Sequence, residues 1–182
     1  MDILVTRRLT LRPPLDVDAE AITAALQDTN VTRMLTNVPN PYGIADAVKW
    51  IKKDQNTSGD LRFCIYRQKF LGVVTIRETD PGLPSLGYWL ERSAWGQGFM
   101  SEAARATVSH AFREFGYDRI YSGAYEDNRA SMTILEKIGF EPEGAIVDHN
   151  ATRACDVTCN KVVLTREKFE QKFGSLDTSA AA

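Results

Sequence analysis

Apolar and polar residues alternate along ILVTRRLTLR (3–12), the period-two pattern of a half-buried strand, and Pro13-Pro14 ends it. The period then lengthens. Behind Asp16, a good helix cap, Val17, Ala21, Ile22, Ala25 and Leu26 recur on one helical face as far as about Asp28. Residues 29–43 hold two prolines, three asparagines and a glycine, a loop composition with room for one helical turn. A second amphipathic helix follows over about 44–55, with Val48 and Ile51 inward. LRFCIYR (61–67) and FLGVVTIRE (70–78) make a hairpin about Gln68-Lys69, and after the break Pro81-Gly82-Leu83-Pro84 another strand covers 85–91. A helix from about Ser101 to Phe115 stops at Gly116, a natural left-handed cap. Strand 118–126 leads to Asn128 and a helix ending at Gly139. Two strands (140–147, 155–165) joined by a polar loop, DHNATRA, then a short charged helix (166–173) complete the pattern. Residues 1–173 are expected to form one domain, and the small, polar residues 174–182 a disordered tail.

Composition narrows the function classes. The chain has 182 residues, 43% hydrophobic and 25% charged, enough for a full core. A formal net charge of −2 with no basic run argues against a nucleic-acid partner. No apolar stretch reaches membrane-spanning length, and MDILVTRRLTLRP lacks the apolar core of a signal peptide, so no membrane partner and a cytoplasmic location are expected. Cys64, Cys155 and Cys159 are odd in number and lack C-x-x-C spacing, which argues against disulfides and against a metal site. Buried structural thiols are the expectation.

The chemistry concentrates between Leu86 and Phe140. The loop Trp95-Gly96-Gln97-Gly98-Phe99-Met100-Ser101 opens into a helix, where free backbone N–H groups and the helix dipole favour phosphate oxygens. Gly96, Gly98 and Ser101, with Asp118 further on, partly match a dinucleotide-binding fingerprint. That match lies in mid-chain with no series of parallel strand–helix–strand units before it, and an oxidoreductase is the weaker reading.

The whole block resembles the GNAT superfamily of acyl-CoA-dependent N-acyltransferases, whose loop is Q/R-x-x-G-x-G/A followed by a helix. In that register Trp95 takes the Q/R place, Gly98 the first glycine and Met100 the last small residue. Asn128-x-x-Ser131, with Lys137-Ile138-Gly139-Phe140 behind it, is similar to the superfamily's next helix and its exit. The form W-G-x-G-x-x-x-E-A (Trp95 to Ala103) resembles the RimJ/RimL subgroup of ribosomal-protein N-terminal acetyltransferases. The resemblance implies an α+β fold: a mixed, mostly antiparallel sheet of six or seven strands with helices on both faces. It also implies acetyl-CoA as acyl donor and a primary amine as acceptor, either a peptide N-terminus or a small molecule such as an antibiotic, polyamine or amino acid. A monomer or homodimer is expected, and no metal. A non-catalytic acyl-CoA-binding module is the remaining alternative.

Site residues follow from the same resemblance. The main chain of Leu90 and Arg92 would hold the pantetheine arm in a gap between splayed strands. The N–H groups of Gln97, Gly98, Phe99, Met100 and Ser101 would hold the pyrophosphate, with Gly96 and Gly98 allowing close approach. Asn128 would meet the pantetheine or simply cap its helix. The tyrosine that protonates the leaving thiolate in many GNAT enzymes is Leu135 here, and Ser131 is the candidate substitute. Asp148 and His149, in the polar loop near the acceptor, are the candidate bases. Asn37, Tyr42 and Tyr88 are candidates for the acceptor groove.

Overall fold

The N-terminal strand expected over residues 3–12 is a tight hairpin instead. β1 (Leu4–Val5) turns back onto β2 (Thr10–Arg12), and the turn is closed by the Thr6 amide donating to the Leu9 carbonyl at 2.9 Å. The physical cause lies in the turn: Arg8 leaves the sheet to pair with Glu102, 94 residues on. The computed structural model describes residues 2–36, 38–53, 60–78 and 82–176.

The sheet has eight strands in the order β1-β2-β3-β4-β5-β6-β8-β7, one more than expected because of that split. The others are β3 (Leu61–Arg67), β4 (Lys69–Glu78), β5 (Pro84–Leu90), β6 (Arg119–Tyr125), β7 (Glu141–Asn150) and β8 (Cys155–Thr165). Every pairing is antiparallel except β5 with β6, which is parallel.

Alternation along β3 sends side chains to two cores. Leu61, Phe63 and Ile65 face α4 (Phe99–Phe115), α5 (Arg129–Ile138) and α6 (Arg166–Phe173). Cys64 faces α1 (Ala19–Leu26), α2 (Thr29–Thr32) and α3 (Ile44–Lys52). In α4 the buried positions Ala104, Val108, Ala111 and Phe112 fall at helical spacing, and Gly116 at φ 66° ends the helix. Burying Val108 and Phe112 contributes roughly 1.5–3 kcal/mol each.

Val17, expected on the buried face of the first helix, is 78% exposed. Asp16–Asp18 is a 3-10 turn ahead of α1, and Asp18 takes the inward position. Its carboxylate receives both Arg12 guanidinium N–H groups, at 2.7 and 2.8 Å, and the Tyr66 hydroxyl, so a fully buried charge is satisfied.

Two backbone irregularities shape the centre of the sheet. In β4, Ile65 pairs with Gly72 and Tyr66 with Phe70, so Leu71 is an extra, bulged residue. Its carbonyl accepts from the Glu91 amide at 2.8 Å. A Cβ on Gly72 would lie 2.2 Å from the Trp89 carbonyl oxygen, so this position requires glycine. The second irregularity is the β5–β6 pair, in register at Ser85–Tyr121 alone. Beyond that point the strands part.

The expected polar loop 148–154 is shorter than its composition suggests. β7 runs to Asn150 and β8 starts at Cys155, which places Asp148 and His149 inside a strand. Cys155 and Cys159 share β8; all three thiols are free, and Cys155 is exposed rather than buried as expected. Among the described residues no helix is long and apolar enough to cross a membrane.

Candidate active site

The gap between β5 and β6 follows from their directions. Ser122 Oγ donates to the Leu86 carbonyl at 2.9 Å, which shows that Leu86 turns its main-chain groups toward β6. With period two, Tyr88 and Leu90 turn theirs the same way, where the strands have separated. Strand-edge groups are thus presented to an extended, amide-bearing ligand. One of them is already engaged: the Leu90 carbonyl accepts from Trp95 Nε1 at 2.9 Å. Trp95, 45% exposed, therefore braces the strand end. Arg92 lies past that end, in a 3-10 turn at Arg92–Ala94.

The glycine loop ends as its sequence suggests, two residues earlier than expected. Gly98 caps α4 with φ 74°, in the left-handed region. The first helical hydrogen bond runs from the Glu102 amide to the Gly98 carbonyl, so the amides of Phe99, Met100 and Ser101 precede the ladder and point out of the helix start. Phe99 and Met100 bury their side chains and offer main chain only. Gln97 turns its side chain back to the Ser93 carbonyl at 3.0 Å.

A brace that local sequence does not signal holds this loop. Arg8 Nη1 donates to the Gln97 carbonyl at 2.9 Å, and Arg8 Nε pairs with Glu102 at 2.6 Å. The Arg8 amide and the Thr6 hydroxyl also donate to Glu102, and the guanidinium stacks 4.7 Å above the Phe99 ring. Burial alone would raise the Glu102 carboxyl; the hydrogen bonds from Thr6 and Arg8 outweigh it and hold the carboxyl below the ordinary range. Beyond the helix start a groove of about 180 Å³ is lined by Ser101, Glu102, Arg105, Lys137, Ile138 and Phe173. It sets two cations beside apolar surface.

Across the gap, Asn128 caps α5: its side-chain oxygen accepts from the Ser131 amide at 3.2 Å. The capping role expected of Asn128 is present. Ser131 Oγ lies 2.9 Å from the Tyr88 hydroxyl, so two residues expected in different roles meet. Leu135 is fully buried in the core, one turn away.

The acceptor-side expectations divide. Tyr42 is only 8% exposed, among α1–α3, and burial pushes its hydroxyl up to about 12; it is a core residue rather than an open groove wall. Asn37 lies outside the described residues. Asp148 and His149, expected together, are consecutive strand residues and face opposite sides of the hairpin. His149 pairs with exposed Asp156 at 2.9 Å. Asp148 stands opposite Val157, on the face of Tyr125 and Cys159.

Beside the start of α5 lies a polar clamp that the sequence does not signal. Arg153 holds Asp127 with two N–H groups, at 3.0 and 3.1 Å, and donates to the Arg33 carbonyl at 2.8 Å. The Arg33 guanidinium reaches the same carboxylate at 3.0 Å. Asn150, fully buried, donates to the Arg33 and Leu35 carbonyls, each at 3.1 Å. The hydrogen bond from Arg153 holds the Asp127 carboxyl below its ordinary range. Asp127 of the clamp immediately precedes Asn128, the cap of α5. Partners some 26 to 120 residues apart leave no local signal.

These features fit acetyl-CoA: a strand edge for the pantetheine amides, free helix-start amides for the pyrophosphate, and a hydroxyl pair formed by Tyr88 of that strand with Ser131. Comparison with known proteins agrees. Residues 8–141 match the family model "Acetyltransferase (GNAT) domain". The uncharacterized N-acetyltransferase YoaA of Bacillus subtilis is 33% identical over 153 residues, 79% of this chain and 85% of that protein. A ribosomal-protein-serine acetyltransferase of Escherichia coli is 29% identical over 87 residues, 46% of this chain and 49% of that protein. The solved structure of RimL, a ribosomal α-N-protein acetyltransferase in complex with coenzyme A, superposes with a TM-score of 0.80 at 21% identity, covering 90% of this chain and 98% of that one. That likeness is one of fold. With the family model spanning most of the chain and a relative 33% identical over 79% of it, the protein belongs to the GNAT family and is an acetyl-CoA-dependent N-acetyltransferase.

Proposed function

We propose that this enzyme acetylates the α-amine of a protein N-terminus, or a small amine of similarly low pKa, in the cytoplasm. The observation that carries the reading is the division of the candidate bases. Asp148 and His149 face opposite sides of their hairpin, and His149 is tied outward to Asp156. Among the described residues no histidine–carboxylate pair stands beside Ser131. At pH 7 an α-amine of pKa ~7.7–8.0 is roughly 10–15% neutral, whereas a lysine amine near ~10.4 is about 0.04% neutral. The difference corresponds to about 3 kcal/mol of available nucleophile. A site without a strong base therefore favours the α-amine. The similarity to a ribosomal-protein-serine acetyltransferase supports the same acceptor, and three free thiols suit a reducing compartment.

In this reading the chain's own groups divide the work. The amides of Phe99, Met100 and Ser101, with Gln97 and Gly98 shaping the loop, hold the pyrophosphate, and the Leu90 amide holds the pantetheine arm. Arg105 and Lys137 receive the nucleotide phosphate. Ser131 gives the departing sulfur its proton. The test is turnover across pH 6 to 9, using peptides with a free N-terminus and a blocked lysine against the reverse pair. The free N-terminus is expected to win at pH 7 by at least tenfold. A preference for the lysine peptides would overturn the reading.

A further inference from the structure

Tyr88 and Ser131 meet from two elements, one on β5 and the other in the first turn of α5. The Tyr88 hydroxyl lies 2.9 Å from Ser131 Oγ and 3.2 Å from the Ser131 carbonyl oxygen. Two hydroxyls in contact form a unit that can take a proton at one end and release one at the other, because each oxygen is both donor and acceptor. The ring of Tyr88 packs against the core that holds Leu86 and Leu90, so its hydroxyl is delivered to Ser131 by a fixed strand. Burial pushes the hydroxyl up to about 12, with the Ser131 contact opposing. Tyr88 thus stays neutral wherever amines are acetylated. As a lone acid it would be a poor one: against a thiol near ~8.5, outright transfer is disfavoured by about 10³-fold. A relay needs no such ionisation, since each oxygen gains one proton and loses one.

We propose that Tyr88 and Ser131 form a two-hydroxyl relay that carries the proton of the attacking amine to the departing sulfur. The proposal rests on the reading of Ser131 as the donor to sulfur and adds the source of that proton. The balance closes. The amine lone pair forms the C–N bond with the thioester carbon while the C=O π pair moves onto oxygen. When that pair returns, the C–S bond breaks and its electrons leave with sulfur. The surplus proton on nitrogen passes to Tyr88 Oη, the Tyr88 proton to Ser131 Oγ, and the Ser131 proton to sulfur. Amide and thiol result, and both hydroxyls are restored. The sulfur is then the destination of the amine's proton, and a separate carboxylate or histidine base is unnecessary.

The experiment is a double-mutant cycle with Tyr88→Phe, Ser131→Ala and the double variant, each checked for an unchanged melting temperature. The phenylalanine keeps the ring and removes only the hydroxyl. Ser131→Ala is expected to lower kcat by about 10²-fold and Tyr88→Phe by about tenfold or more, with KM for acetyl-CoA within twofold of the parent. On the Ser131→Ala background, Tyr88→Phe should cost less than a further twofold. A second readout needs no turnover: thiolate absorbance of bound coenzyme A, titrated with pH. Removing the Tyr88 hydroxyl should raise the apparent pKa of the bound thiol, because Ser131 becomes a weaker donor to it. Parent-like kcat in Tyr88→Phe, multiplying losses in the double variant, or identical thiol titrations would each overturn the relay while leaving Ser131 in place. Parent-like kcat in Ser131→Ala would instead overturn the underlying reading of that serine.

Discussion

The glycine-loop end of the cleft, proposed to take the donor, and the Asp127 end, proposed to take the acceptor, are built from different materials. At the glycine-loop end the loop and strand present main chain, the amides of Phe99, Met100 and Ser101 and the open edge of β5, and side chains, Arg105 and Lys137, enter only in the groove beyond. Side chains such as Arg8, Glu102 and Trp95 stand behind and brace the backbone. At the acceptor end the arrangement reverses. There the clamp of Asp127, Arg33 and Arg153 is made of side chains, with buried Asn150 behind it, and it joins segments distant in sequence. A donor common to all its turnovers suits a rigid backbone mould. An acceptor surface made of side chains can be re-specified by substitution without rebuilding a strand.

The largest expected effect breaks the donor end alone. Gly98 sits at φ 74°, and a Cβ there would meet only Arg8, at 3.5 Å; the barrier is conformation rather than space. A valine held in that region is strained by about 1–3 kcal/mol, so Gly98→Val should shift the loop and weaken acetyl-CoA binding more than tenfold by calorimetry. The fold should survive, and KM for the acceptor should barely move. An affinity equal to the parent's would show that the phosphates are held elsewhere.

A smaller effect should appear at the other end. Arg153→Ala removes two hydrogen bonds to Asp127 and one to the Arg33 carbonyl. A loss of about 1–2 kcal/mol, or five- to thirtyfold, is expected in kcat/KM for the acceptor, with acetyl-CoA affinity within twofold. Equal losses for both substrates would erase the distinction between the two ends.

The smallest effect is in acid, and it sharpens the comparison. Glu102 and Asp127 both have carboxyls held below their unfolded values. Each stabilises the fold fully above the unfolded carboxylate pKa, and the contribution fades as pH falls through the lower folded value. Their joint contribution to the melting temperature should therefore be constant above about pH 6 and fade below about pH 4. Glu102→Gln should flatten that decline more than Asp127→Asn, because the Glu102 side chain is 12% exposed against 40% and is less screened. The reverse order would make the acceptor clamp the stiffer of the two.

Much of the donor end was legible in residue order because its information is local. Glycines before an amphipathic run, and Asn128 three residues before Ser131, state a helix start within a few positions. The long helices, the β3–β4 hairpin and β8 followed for the same reason: periodicity reports which face is buried. The failures share one cause. ILVTRRLTLR alternates like a strand, yet Arg8 is drawn out of it by Glu102. Val17 keeps the helical spacing, yet Asp18 takes the inward place because Arg12 and Tyr66 are there to receive it. DHNATRA is polar like a loop, yet Asn150 is buried by carbonyls of residues 33 and 35.

By itself, then, the sequence determined most of the elements and the glycine loop at a helix start, since each is encoded by neighbours within a turn or a strand, and through its family resemblance it gave the class of reaction. Only the tertiary structure decided where β5 and β6 part, that Asp148 and His149 face opposite ways, and that Tyr88 meets Ser131. Those are facts of register and long-range pairing. A shift of one residue in a strand reverses every side chain, and an ion pair across a hundred residues is set by packing rather than by spacing.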